Sequence, residues 1–404
     1  MGEIFDKSNQ QKLVLTLFFT MIVVMLGFGM IIPIMPFYIK SFGASGSALG
    51  TLMAIYGAMQ LIFAPLWGSL SDRYGRKPIL MIGVLGNAIA QLIFGLSTEL
   101  WMLFAARALS GILSSATLPT AMAYIGDITS PEQRGGKMGM IGAAMGIGMV
   151  IGPGAGGWLA ERSLSLPFFL ASALSFLALI LIFLILSEPP RKEAFVARAT
   201  RPLQPNVLIQ ALAGPMGVLF LLAFLFSFGL TNFEGIFGLY AADRYAYTPQ
   251  QVGGILTVIG LIAAVVQGGL TGPLTRRFGE ITVIRISMIG SAAGFIFLIL
   301  ASNQIQLLLA VSFFVISHAM INPAVSALIS MRTKDGQGVA MGVNNSFQSL
   351  GRTTGPLWAG LVYDVEMNLP YFTGAIILFL GFGVSMLRLK DTPVNPEAID
   401  IIQA

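Results

Sequence analysis

The chain is a succession of long, nearly uncharged runs, and a run of that kind has few places to fold. They fall at about 12–39, 47–70, 78–97, 100–126, 138–160, 166–187, 214–241, 249–272, 281–301, 305–330, 339–362 and 371–389. Each comes near the roughly 20 apolar residues with which a helix crosses about 30 Å of hydrocarbon. Where there is no water, only a helix or a closed barrel satisfies the backbone polar groups, and continuous apolarity at this length selects the helix. The expectation is an all-α integral membrane protein of twelve transmembrane helices. Charged residues make up only 10% of the chain, against about 25% in soluble domains.

The basic balance, with 23 Lys and Arg against 18 Asp and Glu, would suit a nucleic-acid partner, but the positions of the charges point elsewhere. If the N-terminus is cytoplasmic, 18 of the 23 basic residues fall in cytoplasmic segments. Lys40, Arg162 and Arg244 fall outside, and Arg107 and Arg352 lie within helices. The positive-inside rule then places both termini in the cytoplasm, and the charge reports topology rather than a nucleic-acid partner. The first apolar run, Lys12 to Tyr38, is longer than a signal-peptide core and is expected to be retained as the first span. There is no cysteine, which excludes disulfides, thiolate metal sites and cysteine nucleophiles.

The longest polar segment carries EPPRKEAFVARATRPLQP and splits the spans six and six. The expected organisation is an N-terminal bundle over 1–190, a cytoplasmic linker over 191–213 and a C-terminal bundle over 214–404. The halves repeat one another. A shift of 204 lays Gly68 to Gly75, GSLSDRYG, over Gly272 to Gly279, GPLTRRFG. A shift of 203 lays Gly139, Gly148, Gly152, Pro153 and Gly157 over Gly342, Gly351, Gly355, Pro356 and Gly360. Such a parallel repeat implies two pseudo-symmetric six-helix bundles around a central cavity, the arrangement in which transporters bind substrate near the midplane.

Two glycine-bearing segments have mechanical meaning. In GSLSDRYGRKP, Gly68 and Gly75 permit a tight turn, Asp72 can cap or pair at a helix end, and Arg73, Arg76 and Lys77 face an anionic leaflet. That cluster can act as a latch, with Asp127 as its ionic partner, or simply as a topological anchor. In the fifth span Gly148, Gly152, Gly156 and Gly157 let backbones touch, and Pro153 bends the helix. The result is either a hinge or a static seam.

At these residues the chain resembles the major facilitator superfamily. The GxLxDRxGRK pattern after span two, the Arg107 of LFAARALSG in span four and the GP-centred glycines of span five carry the resemblance, which covers essentially the whole chain. The last pattern is similar to the antiporter motif of its drug:proton branch. The stretch from Phe226 to Pro249 resembles the multidrug and quinolone efflux pumps of Gram-positive bacteria. The resemblance implies a proton-coupled exporter working by alternating access in the plasma membrane, with the proton as coupling ion and no cofactor or metal. Lipid, protons and small-molecule drugs would be its partners, and a monomer is expected. By the same resemblance Arg107 corresponds to the family arginine implicated in proton coupling.

Charges inside spans are expensive and therefore functional by default. Arg107, Glu234 and Arg352 lie well within helices, and Glu234 is the one carboxylate deep in any of them. Reachable from each side in turn, it would hold either a proton or an amphipathic cation, and antiport follows from that competition. A structural, Arg-paired glutamate is the other reading. Asn344, Gln348 and Arg352 recur every four residues on span eleven, and Tyr56 and Gln60 do so on span two. Lipid does not tolerate such faces, so they are expected to line the cavity with Phe237, one turn beyond Glu234. His318 in span ten stands near where the resembling pumps carry an acidic residue. Either Glu234 acts alone, or His318 takes a second proton-coupling role; a packing histidine is the alternative.

A dedicated tetracycline/proton antiporter and a metabolite or sugar transporter of the same superfamily remain as alternatives. The first is disfavoured by the lack of aspartates in VVMLGFGM and IGVLGNAIAQ, the second by the intact antiporter motif. No phosphate loop, histidine cluster or nucleophile with a base points to an ATP-driven pump or a membrane enzyme.

Overall fold

A computed structural model describes residues 7–189, 205–333 and 337–389. The described residues hold no strand. The basic residues Arg191, Lys192, Arg198, Arg201, Lys334 and Lys390, which entered the orientation count, lie outside them, as does 191–204 of the expected linker.

The helices of the first half are α1 (Lys7–Ser41), α2 (Gly46–Tyr74), α3 (Arg76–Leu96), α4 (Leu100–Leu113), α5 (Thr117–Ile128), α6 (Pro131–Ala160) and α7 (Leu166–Ile185). A 3-10 turn over Ser114–Ala116 joins α4 to α5, so one expected span is a broken helix. The short α8 (Pro205–Ala213) occupies the end of the stretch expected as linker. The second half continues with α9 (Gly217–Tyr245), α10 (Pro249–Val265), α11 (Thr271–Phe278), α12 (Glu280–Leu300), α13 (Gln304–Ala319), α14 (Ile321–Arg332), α15 (Gln337–Tyr363) and α16 (Leu369–Arg388). A π-helical turn over Val266–Leu270 joins α10 to α11, and Met320 separates α13 from α14. Pro323 follows that break at once, where its missing N–H is least costly.

Eleven helical segments among the described residues are long and apolar enough to cross a membrane. The twelfth expected span is α15, 27 residues long, whose Asn344, Asn345, Gln348 and Arg352 lower its hydropathy. Side chains such as Leu184, Ile305 and Leu387 are 70%, 72% and 78% exposed. Apolar side chains bared in that number belong in lipid.

The chain divides into two compact units. The first comprises Met1–Ala44, Ala58–Pro202 and Tyr247–Thr257, and the second Ser45–Gly57, Leu203–Ala246 and Val258–Ala404. In the first unit α1 packs on α6 and α7, and α3 on α7 and α4. Its core joins Leu17 and Met21 of α1, Val84 of α3, Tyr124 of α5 and Ile182 of α7. In the second, α9 packs on α15 and α16, and α12 on α13 and α16. That core is aromatic: Phe295 stacks on Phe314 at 4.4 Å between ring centroids, and Phe233 and Tyr371 pack around them.

Candidate functional site

The second unit carries the intramembrane carboxylate. Glu234 sits on α9 among buried neighbours yet is itself only half-buried, so it keeps an accessible edge where Phe233, Gly235 and Ile236 do not. Its position relative to α15 follows from glycine. A Cβ on Gly355 would come 2.7 Å from the Phe228 carbonyl, and one on Gly235 would come 3.0 Å from the Pro356 ring. The two helices therefore approach closely, with only the small Thr231 side chain and the Pro356 ring at the contact. Arg352, one turn before Pro356, is exposed, donates to Ser349 Oγ at 3.2 Å and lies within electrostatic reach of Glu234. The Tyr56 phenol lies within electrostatic reach of the same guanidinium. A carboxylate, a permanent cation and a phenol thus gather in one unit, each able to meet a polar or charged ligand.

The remaining polar groups of α15 lie deeper. Asn344 is 1% and Gln348 7% exposed. Gln348 Nε2 donates to Asn322 Oδ1 of α14 at 2.9 Å, while the Asn344 amide has no hydrogen-bond partner among the described residues. Phe237 is fully buried, its ring 4.8 Å from that of Phe233. His318 is stacked between Phe226 at 4.9 Å and Phe314 at 5.0 Å, with Nε2 2.9 Å from the Phe226 carbonyl. A carbonyl accepts only, so Nε2 carries the hydrogen in that bond.

The first unit holds Arg107 and Gln60. Arg107 on α4 is 1% exposed, and its guanidinium lies over the Phe28 ring of α1 at 5.8 Å, a cation held by a π face. Gln60 on α2 is half-buried. At the junction of α2 and α3, Arg76 pairs with Asp72 at 2.6 Å and with Asp127 of α5 at 2.9 Å, and donates to Ser71 Oγ at 2.7 Å. Gly75 takes φ 109°, a backbone that L side chains rarely adopt, and so turns α2 directly into α3. The Arg76 and Lys77 N–H groups at the start of α3 donate to the Glu188 carboxylate, placing an anion at a helix N-terminus. Arg73 lies over Tyr74 at 5.4 Å, and nothing stands within 4 Å of a Cβ on Gly68.

Along α6, Gly148, Gly152 and Gly156 form one stripe against α1. Added Cβ atoms there would fall 2.6 Å from the Ile22 carbonyl, 2.8 Å from the Leu26 carbonyl and 2.8 Å from Met30 Cα. Gly157 and Pro153 instead meet the first residues of α10, at Pro249 and Gly253. The second unit repeats this design: Gly351 and Gly355 of α15 lie on α9, and Pro356 and Gly360 meet Gly50 and Gly46 of α2.

The model of the Major Facilitator Superfamily matches the chain over residues 17–268 and again over 219–402, the second match overlying the repeated half. The chain belongs to that superfamily. Multidrug resistance protein 2 of Bacillus subtilis is 32% identical over 384 residues, 94% of this chain and 96% of that one. Quinolone resistance protein NorA of Staphylococcus aureus is 31% identical over 376 residues, 93% of this chain and 94% of that one. Among solved structures, a bacterial homolog of the human lysosomal transporter Spinster superposes with a TM-score of 0.79 at 16% identity, over 97% of this chain and 100% of that one. That likeness shows the fold: two helical bundles of the superfamily's type.

Sequence reasoning missed several polar anchors of this scaffold. Asn232 of α9 is fully buried and donates to the Pro370 carbonyl at 2.9 Å. Asp243 accepts from the Tyr363 hydroxyl at 2.6 Å. Asp364 accepts from the N–H groups of Gly46 and Ser47. A polar residue inside an apolar run announces Asn232; the partners of the other two are distant in sequence and gave no local signal.

Proposed function

We propose that the chain is a proton-coupled antiporter that exports amphipathic, cationic drugs by alternating access. Glu234 carries the reading: a carboxylate midway along α9, accessible at one edge and faced by Arg352. A proton and a cationic drug compete for it, so each transit of one in one direction permits transit of the other in the opposite direction. A membrane potential adds about 2.3 kcal/mol per charge per 100 mV to proton entry. Support comes from relatives named for multidrug and quinolone resistance at 31–32% identity over more than nine-tenths of the chain.

Arg352 supplies the counter-charge when neither proton nor drug is bound, and Tyr56 adds an aromatic, hydroxyl-bearing wall. Arg107, packed on Phe28, contributes the fixed charge of the first unit. Gln348 acts through the α14–α15 contact, and His318 with Phe237 holds α9 in place by packing rather than by carrying protons. Proton entry at Glu234 needs no cofactor. The protein works as a monomer in the plasma membrane with both termini cytoplasmic and the segment 191–213 joining bundles 1–190 and 214–404.

The test is drug transport in everted membrane vesicles energised by respiration. Uptake of a fluorescent lipophilic cation, abolished by an uncoupler and accompanied by proton release from the vesicles, is the expected result. Uptake that persists in the uncoupler would refute proton coupling.

A further inference from the structure

Helices α2 and α10 each divide between the units: Ser45–Gly57 of α2 goes with the second and Tyr247–Thr257, at the start of α10, with the first. The two pieces overlap under the repeat, the shift of 203 laying Ser45–Gly57 over 248–260. Each borrowed segment lies along a glycine–proline helix of its adopted unit, α15 for α2 and α6 for α10. Beside the glycine contacts, each segment meets one carboxylate at its start.

For α2 the group is Asp364, immediately after α15. The Gly46 N–H donates to Oδ1 at 2.7 Å and the Ser47 N–H to Oδ2 at 2.9 Å. A carboxylate there satisfies two otherwise unpaired donors and meets the positive end of a 29-residue helix. For α10 the group is Glu161, immediately after α6, whose Oε2 lies 2.8 Å from the side-chain amide of Gln250 once that amide is oriented to donate. The shift of 203 that relates the glycine motifs also lays Glu161 over Asp364.

We propose that Asp364 and Glu161 are a matched pair of clasps that hold the first turns of α2 and α10 on α15 and α6, and that both must open for these segments to leave during the transport cycle. The proposal rests on the alternating-access reading above and adds the parts that move. Asp364 is the stronger clasp, since it binds backbone N–H groups, while Glu161 binds a side-chain amide.

The clasp at Asp364 does not respond to protons in the physiological range. Burial pushes its carboxyl up, but hydrogen bonds from Ser47, Gly46 and Ser45 outweigh it and hold the group below the usual aspartate range. A carboxyl lowered on folding contributes fully above its ordinary value, about 3.9, and loses that contribution only as pH falls further. The groups facing it are the Ser45 and Ser47 hydroxyls of the α2 end, Tyr363 of α15 and, through the Tyr363 hydroxyl, Asp243 of α9. The clasp therefore opens by mechanical force from the cycle rather than by titration.

The absence of native cysteine makes a labelling experiment direct. Ala54 lies one turn from Gly50 on α2 and is 6% exposed. With Ala54→Cys as the sole thiol of the full chain, labelling by a membrane-impermeant maleimide is timed in right-side-out vesicles. Asp364→Ala should raise the rate about fivefold, as expected for loss of a helix cap, and Asp364→Asn should raise it less. Glu161→Ala should raise the rate at Thr257→Cys, its counterpart on α10. Unchanged rates in all three would overturn the clasps. If Asp364→Ala fails to insert, Asp364→Asn and Glu161→Ala decide the matter. An increase confined to inside-out vesicles would support the clasp and refute the proposed orientation, so the two failures are distinguishable.

Discussion

Arg76 Nε donates to Asp127 Oδ2 at 2.9 Å while its Nη1 contacts Asp72 at 2.6 Å, so one guanidinium ties the junction of α2 and α3 to the end of α5. Both ion pairs lie within the first unit; Arg76 is mostly buried and the Asp127 pair is the more sheltered of the two, while Asp72 is exposed and its pair is open to screening. Asp127→Asn keeps the shape and removes the charge. It should cost about 1–2 kcal/mol of stability in the first unit, read as a lower denaturation midpoint of the detergent-solubilised protein. An unchanged midpoint would show the pair to be no part of that unit's stability.

The stripe on α6 makes a steric prediction with an internal control. A Cβ at Gly152 would lie 2.8 Å from the Leu26 carbonyl and 2.9 Å from Gly29 Cα, whereas one at Gly142 meets nothing within 4 Å. Gly152→Val should cost about 1–3 kcal/mol through forced separation of α6 from α1. Gly142→Val, which puts the same side chain into open space, should cost far less. Equal effects at the two positions, compared by thermal unfolding, would mean that backbone contact is not what the glycines provide.

His318 offers a test between proton relay and packing. Its ring is stacked by Phe226 and Phe314 and bonded to the Phe226 carbonyl. His318→Phe keeps the stack and loses one hydrogen bond. Transport activity should fall modestly, while its pH profile keeps the same shape. A displaced profile would assign His318 to the proton path.

The architecture was legible because a bilayer imposes one rule on every span: about 20 residues of continuous apolarity. The same rule singled out α15, whose polar residues set it apart both in the sequence and in the folded helix. It did not reveal where those polar groups point. Asn344 and Gln348 share a face with Arg352, yet they are buried while Arg352 is exposed, because a face four residues wide borders more than one neighbour. Phe237 follows the same logic: one turn from Glu234, it is turned into the core against Phe233. The breaks at Ser114–Ala116 and Met320 leave hydropathy unchanged, and their sequence signal is a proline three residues on, Pro119 and Pro323, whose missing N–H frees a carbonyl at the break. Glu161 and Asp364 were within reach, for the shift of 203 that matched the glycines extends to them, but their role depends on the first turns of α10 and α2, which only folding brings near.

The central claim concerns one carboxylate, and the direct measurement is proton release coupled to drug uptake by Glu234→Gln in everted vesicles, with the amount of inserted protein matched to the parent. The account predicts that the variant inserts normally, still binds to some degree through Tyr56 and its neighbours, and releases no protons when a lipophilic cation is added. Proton release at the parental ratio of protons to drug would contradict it.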